Sequence, residues 1–557
     1  MGAEMPLETS ARTAPQEVPQ GPAPPIGDRA TSPAAAAALT LAVFVVSAVA
    51  LVVRWRDDFT PIGDLAITEL TVREVGRHAV LLGPYSRFRW WHPGPILWYL
   101  LAIPYRLLGS GAIGISVGAA LISGVAAAGV VLTAGRVAGR RAAWWAALVL
   151  GVFVWALGPE LLRYPWNPYL TVLPVALLVA VVWGVACGHA WAVPTTAVVA
   201  TFLVQSHVGY APVAVALIVT GAVVLVLRAR AGQVRIDGHR LRRAGLVAVI
   251  LLVALWTPPL IEQIQHDPGN VSELVRFFRE HDPDHTVRDG ASTTYRALGV
   301  VPEQLVAHKT GYAVGRPMPA WANGLTIASV AAAAVLAVRR RLWDELVLLG
   351  LTFVLGVTAV WSVSRIIGEV EPYLVQWIAV VSPLAWIGVG LVAARAVPTA
   401  PEAPTRRAAA WIRGVTAVVV AATVLLAGVN AWSSIRALPP DAQISPTARR
   451  FFDRVIAAIP EDSDDTVLVD IADQQAWSWA AAAVLELEKA GIPVRVTREH
   501  GWLISGRLGT DSEDYPLVLT LALRGQPGSA EARRDPRQRL VAQGSGVEAF
   551  FADERDR

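Results

Sequence analysis

The chain has one cysteine, Cys187, and only two lysines, Lys309 and Lys489, among its 557 residues. A single thiol excludes an internal disulfide, so no covalent staple holds this fold. Charge is scarce too. Asp, Glu, Lys and Arg make up 17% of the residues, against roughly 25% in soluble domains, and long segments carry none. That excludes a string of ordinary soluble domains. No HExxH and no Cys or His spacing suited to zinc occurs. The apolar runs are almost free of carboxylates, His and Arg at their centres, which argues against an ion-coupled transporter or a proton pump. A flippase using polar cavities escapes that exclusion. The formal charge of +4 comes almost wholly from Arg gathered at the ends of apolar runs, so it calls for no nucleic acid partner. Arg in place of Lys, with abundant Ala, Val and Gly, fits a GC-rich bacterial genome.

What is present is apolar length. Hydrophobic residues make up 54% of the chain and the mean hydropathy is +0.47. Runs of roughly 17–25 apolar residues are candidate membrane spans. They fall at 34–53, 112–135, 142–158, 168–186, 190–206, 209–228, 244–262, 320–338, 343–361, 373–395 and 409–431. With these eleven spans, four basic loops share one side: Arg136 to Arg141, Arg228 to Arg243, Arg339 to Arg341, and Arg395 to Arg407. The positive-inside rule makes that side cytoplasmic. The expected fold class is a mainly α, polytopic membrane helical bundle of about eleven transmembrane helices with a small C-terminal α/β domain. Residues 1–33, rich in Pro, Ala and Thr, read as a disordered cytoplasmic tail. Residues 34–435 form the transmembrane domain, with 34–53 as an uncleaved first helix despite Ala48-Val49-Ala50. Residues 436–557 form an extracytoplasmic domain. In it, 466–470, 492–497 and 516–524 read as strands and 474–491 as a helix, a β-α-β unit with no Gly-rich phosphate loop.

The first outer loop, 54–93, concentrates five carboxylates, several Arg residues and aromatics in one stretch. Residues 63–78 read as an amphipathic helix and 94–108 as an interfacial or re-entrant helix, too short and too rich in Pro and Arg to span. A carboxylate beside the bilayer can accept the proton of a hydroxyl that attacks an activated sugar. Arg or His nearby can hold the phosphate of a lipid carrier, and Trp and Tyr offer flat faces to sugar rings. The outer polar candidates for substrate contact are Glu69, Arg87, His92, Glu160, Arg163, Asn167, His207, Arg365 and Tyr373. Each has an ordinary alternative. Asp57 and Asp58 flank a span, Asp64 can cap a helix, and Glu69 and Glu74 read as solvated helix positions. Arg163 can pair with Glu160, and His207 with Gln205 can close a tight turn. The cluster Glu280-His281-Asp282-Pro283-Asp284-His285 offers ligands for a divalent cation or is a solvated loop.

Gly63-Asp64-Leu-Ala-Ile-Thr-Glu69-Leu70, Gly83-Pro-Tyr-Ser-Arg87-Phe88 and His92-Pro-Gly-Pro95, with Trp166-Asn167-Pro168 opening a span, resemble an actinobacterial branch of the GT-C superfamily of membrane glycosyltransferases. The resemblance covers roughly residues 35–435 and rests on layout more than on motif. It implies sugar transfer from a polyprenyl-phosphate donor to a glycan, lipid or protein acceptor of the envelope, on the outer face of the cytoplasmic membrane and among membrane lipids. It also implies a first-loop acid as general base. That acid maps onto Asp64 or Asp58; Gly63 and the helix start favour Asp64. In this family a second acid often lies where Glu160 stands. The alternative is a non-catalytic or flippase-like component of envelope assembly.

Overall fold

Residues 32–56, 59–396, 406–460, 465–512, 514–553 and 555 are described by the structure, a computed structural model. Among them ten helices are long and apolar enough to cross a bilayer. They are Pro33–Trp55, Ala112–Ala138, Arg140–Leu157, Asn167–Ala186, Tyr210–Arg230, Gly238–Gln265, Ala320–Arg340, Trp343–Ser364, Pro372–Ala396 and Ala410–Arg436. Residues 1–31 of the expected tail and Asp58 lie outside the described residues, while Ser32 caps the first helix and Pro33 opens it.

The run at 190–206 departs from expectation. It forms the helix Ala192–Ser206, 15 residues long, about 22 Å at 1.5 Å per residue against a hydrocarbon core of about 30 Å. The backbone leaves the helix at His207, whose φ of −159° is extended. The helix still connects the two ends of the bundle. At its start the Trp191 ring lies under the Arg136 guanidinium, 4.8 Å away; at its end His207 meets the first outer loop. The Arg-bearing loops gather at the Trp191 end, where Arg228 pairs with Asp344 at 2.6 Å and Arg395 with Glu345 at 2.8 Å.

At the other end lie two short helices. Ile96–Leu107 is 12 residues long and does not span; it buries Leu97 and Leu101 and exposes Ile103 and Leu107. Gly63–Glu74 sits in a seam with both flanks covered. Leu65 packs with Leu51, Ile113 and Val117 of the bundle, while Ala66, Ile67 and Leu70 enter the core of the C-terminal sheet domain beside Trp479 and Val484.

That domain is a six-stranded sheet of order β3-β2-β1-β4-β6-β5. Its strands are β1 (Val467–Ile471), β2 (Val494–Thr497), β3 (Gly509–Thr510), β4 (Leu517–Leu523), β5 (Arg539–Gly544) and β6 (Val547–Asp553). The first four are parallel neighbours, β6 pairs antiparallel with β4 and β5, and the helix Trp477–Lys489 crosses from β1 to β2. Open parallel sheets bind ligands where strand order reverses, here between β1 and β4. Asp473 closes that crevice by accepting from Leu523 N at 2.8 Å and Gly528 N at 3.3 Å.

Candidate active site

The polar stretch after the short seam helix folds as a hairpin. Gly83 N donates to His92 O, His92 N to Pro84 O and Ser86 N to Trp90 O, at 2.7–2.9 Å. The hairpin rests on the end of the helix Ala192–Ser206. A Cβ on Gly94 would fall 2.5 Å from the Gln205 side chain, so only glycine permits this approach. Asn270 completes the anchoring like a surrogate strand: Trp91 N donates to its Oδ1 at 3.0 Å and its Nδ2 donates to Trp91 O at 2.9 Å.

Hairpin, seam helix and span ends enclose a cavity of about 710 Å³. Asp64, Arg87, His92, Asn167, His207, Arg365 and Tyr373 all line it, although they come from five separate stretches of sequence. Trp90, Trp98, Trp166, Trp377, Phe277 and Phe278 add aromatic faces to its wall. The enclosure is aromatic with few polar groups, the usual composition of a small-molecule site.

Asp64 lies in the first turn of Gly63–Glu74, one residue inside a helix whose N-cap is Ile62, so it is not the cap. Gly63 takes φ +54° with Ser478 and Trp477 of the sheet domain packed against it. The Asp64 carboxylate accepts the Tyr85 hydroxyl proton. Burial pushes its pKa above the usual aspartate range, the Tyr85 hydrogen bond draws it back, and Asp441 adds a further upward push. The same burial and the neighbouring Asp64 raise the Tyr85 phenol, so that group stays a donor.

Two arginines face the cavity with different surroundings. Arg87 donates to Ile367 O at 2.7 Å and Glu369 O at 3.2 Å, which ties the hairpin tip to the loop 365–371. Arg365 ends the helix Trp343–Ser364, is exposed, and its guanidinium has no hydrogen-bond or ion-pair partner among the described residues. Its loop is held from the other side as well: Gly368 N donates to Asp284 at 2.6 Å, and His285 Nε2 lies 2.7 Å from Gly368 O. Two of the residues considered as cation ligands are thus used to set this loop. His281 stacks on Phe277 at 4.4 Å, and no cluster among the described residues could hold a metal ion.

His92 and His207 stack with ring centroids 4.4 Å apart. Burial keeps both below the ordinary histidine pKa, His207 at about 4, and His207 lowers His92 further. Asn167 donates to Ser206 O at 2.9 Å, and the Tyr373 ring lies 4.7 Å from Trp166.

Three expected residues do not line this cavity. Glu69 is fully buried in the seam, where Lys489 Nζ lies 3.0 Å away and the Tyr105 hydroxyl donates to it at 3.1 Å. Its solvated reading is corrected by the cover of the sheet domain. Glu160 is exposed on the bundle surface. Arg163 is buried and turns into the seam beside the last span, donating to Ser434 O at 3.1 Å and Leu438 O at 2.7 Å; burial lowers its pKa to about 10, which leaves it charged. Tyr85, Trp90, Asn270 and Lys489 were not singled out from sequence. Lys489 alone carried a signal, being one of two lysines in the chain.

No protein-family model matches the chain, and no curated protein matches it. Its fold is similar to that of ArnT from Cupriavidus metallidurans in a crystal structure bound to undecaprenyl phosphate. The TM-score is 0.55 and the identity 13%, covering 92% of this chain and 97% of that one. The likeness is one of fold: a multi-pass helical membrane architecture with a small C-terminal sheet region.

Proposed function

We propose that this protein is an integral membrane glycosyltransferase that moves a sugar from a polyprenyl-phosphate carrier to a hydroxyl of an envelope glycan, lipid or protein, on the outer face of the cytoplasmic membrane. The observation that carries the reading is the convergence of one acid, Asp64, and one unpartnered guanidinium, Arg365, on a single aromatic cavity. ArnT, whose fold is similar, is bound to undecaprenyl phosphate, which supports a polyprenyl phosphate as the lipid. Trp361 and Phe278 line the cavity and are 50% and 47% exposed, so its wall reaches the lipid-facing surface, as a lipid-borne substrate requires.

The chemistry is a single displacement. The acceptor oxygen attacks the anomeric carbon while its proton passes to Asp64. The bond from that carbon to the phosphate oxygen breaks, and its electron pair leaves with the lipid phosphate. Arg365 neutralises the growing charge. One displacement inverts the anomeric centre. Arg-rich loops at the far end support a cytoplasmic position for that end and, with it, Asp64 on the outer face.

The test uses purified protein in lipid nanodiscs with undecaprenyl-phosphate-linked pentoses and hexoses, reading release of undecaprenyl phosphate. Asp64→Asn is expected to slow release by roughly 10²–10⁴-fold, the worth of a general base, while binding of undecaprenyl phosphate persists. Wild-type protein that releases no lipid from any of these donors, or an Asp64→Asn variant as fast as wild type, would overturn the assignment.

A further inference from the structure

The wall formed by His92, His207 and Trp90 holds nitrogen donors that the protein itself does not use. Val208 N donates to His92 Nδ1 at 3.2 Å, and Gly209 N donates to His207 Nδ1 at 3.2 Å. A neutral imidazole whose Nδ1 accepts a hydrogen bond carries its proton on Nε2, so each ring has a fixed tautomer. Neither Nε2 has an acceptor among the described residues. Trp90 sits 5.3 Å from His92, centroid to centroid, is buried, and its Nε1–H also finds no acceptor. The contrast with nearby tryptophans is informative: Trp98 donates to Leu82 O and Trp377 to Leu374 O, both at 3.1 Å.

The Trp90 N–H is buried without an acceptor among the described residues, and a buried donor of this kind calls for a ligand, ion or water to complete it. We infer that His92, His207 and Trp90 form a neutral donor subsite for the hydroxyl and ring oxygens of the transferred sugar. The subsite rests on the glycosyltransferase reading and sorts the lining by charge: these three donors are uncharged, whereas Arg87 and Arg365, which also line the cavity, are guanidinium groups. Burial and the close stacking of the two rings keep both imidazoles neutral at pH 7, so this wall has no cation with which to compete for phosphate. Aromatic faces beside it suit the apolar face of a pyranose or furanose.

The experiment compares binding of undecaprenyl phosphate with binding of undecaprenyl-phosphate-linked sugars to wild type, His92→Phe, His207→Phe and Trp90→Phe. These variants keep an aromatic ring and remove one cavity donor each, the His variants also losing the Nδ1 acceptor of Val208 N or Gly209 N. His92→Gln and His207→Gln restore an N–H close to the Nε2 position. Each Phe variant is expected to bind the sugar-loaded lipid about 5- to 10-fold more weakly, the worth of roughly one hydrogen bond, with affinity for bare undecaprenyl phosphate unchanged. The Gln variants recover most of the loss. Equal losses for both lipids make this wall a phosphate or structural site and overturn the subsite, as does wild-type affinity throughout or Phe variants that do not fold alongside Gln variants that show no recovery. Wild-type protein that binds neither lipid would overturn the proposed function itself, and the subsite with it.

Discussion

Tyr85 sets how readily Asp64 gives up its proton. Its hydroxyl stabilises the charged carboxylate against burial, so Tyr85→Phe is expected to raise the Asp64 pKa. The acid limb of the pH–rate profile then moves to higher pH, and activity falls most at the acid end. A limb that stays in place or moves down would show that Asp64 does not govern the profile. His207 makes a separate prediction for stability. Its pKa falls from 6.5 to about 4 in the folded protein, so the unfolded chain binds more protons across that window. Its contribution is fully present above pH 6.5 and is lost as pH falls towards 4; thermal melts should show less destabilisation between pH 7 and 5 in His207→Gln than in wild type. Asp64 was legible in the sequence because a glycine and a helix start framed it. Tyr85 was not, since only the hairpin brings it back to Asp64. Glu69 was misread for a related reason: periodicity shows which face of a helix is polar and not what later segments lay over it.

The seam helix Gly63–Glu74 is held by ion pairs reaching into the sheet domain. Lys489 bonds Glu69 and Glu486, each at 3.0 Å, and Arg507 bonds Glu74 at 2.8 Å and Glu488 at 2.6 Å. Glu69 is fully buried, and removing the partner of a buried charge costs about 3–5 kcal/mol. Lys489→Met is therefore expected to loosen the sheet domain, seen as a lower melting temperature and faster proteolysis in the connecting segment 437–444. Combining it with Glu69→Met removes both charges and should restore most of that stability; a double variant as weak as the single one would argue against an unpaired charge as the cause. Elements of this size were unevenly legible. Spans bounded by Arg and strands β1, β2 and β4 stood out through long or β-branched apolar runs. The run 190–206 met the apolar criterion, yet its helix closes at His207, next to Gln205, whose Oε1 accepts from Ile96 N, and Ser206, whose carbonyl accepts from Asn167 Nδ2. The β5–β6 hairpin was missed although Gly544-Ser545-Gly546 supplies its turn, with Ser545 and Gly546 at φ 49° and 81°; its second strand, buried along six of seven residues, shows no alternation.

At the scale of the whole molecule, the Arg-rich end and the cavity end are predicted to face opposite sides of the membrane. Gly238 and Gly506 are exposed and have open space around them, so each accepts a cysteine in a Cys187→Ser background. A membrane-impermeant maleimide should label Gly506→Cys on intact cells, and Gly238→Cys only after permeabilisation; the reverse pattern would invert the topology. The seam helix also has a consequence for how the protein is made. Asp64 lies near the start of the chain, while Lys489, Trp479 and Val484, which complete the packing of its helix, come more than four hundred residues later. At synthesis rates of about 5–20 residues per second, a ribosome needs roughly 20 to 85 seconds between them. Until the end of that interval, the hairpin and the bundle hold this helix from one side only, through Tyr85 and Leu65. Under the proposed function, activity is therefore expected only after the sheet region has closed over this helix, so a chain truncated before Val467 should release no lipid.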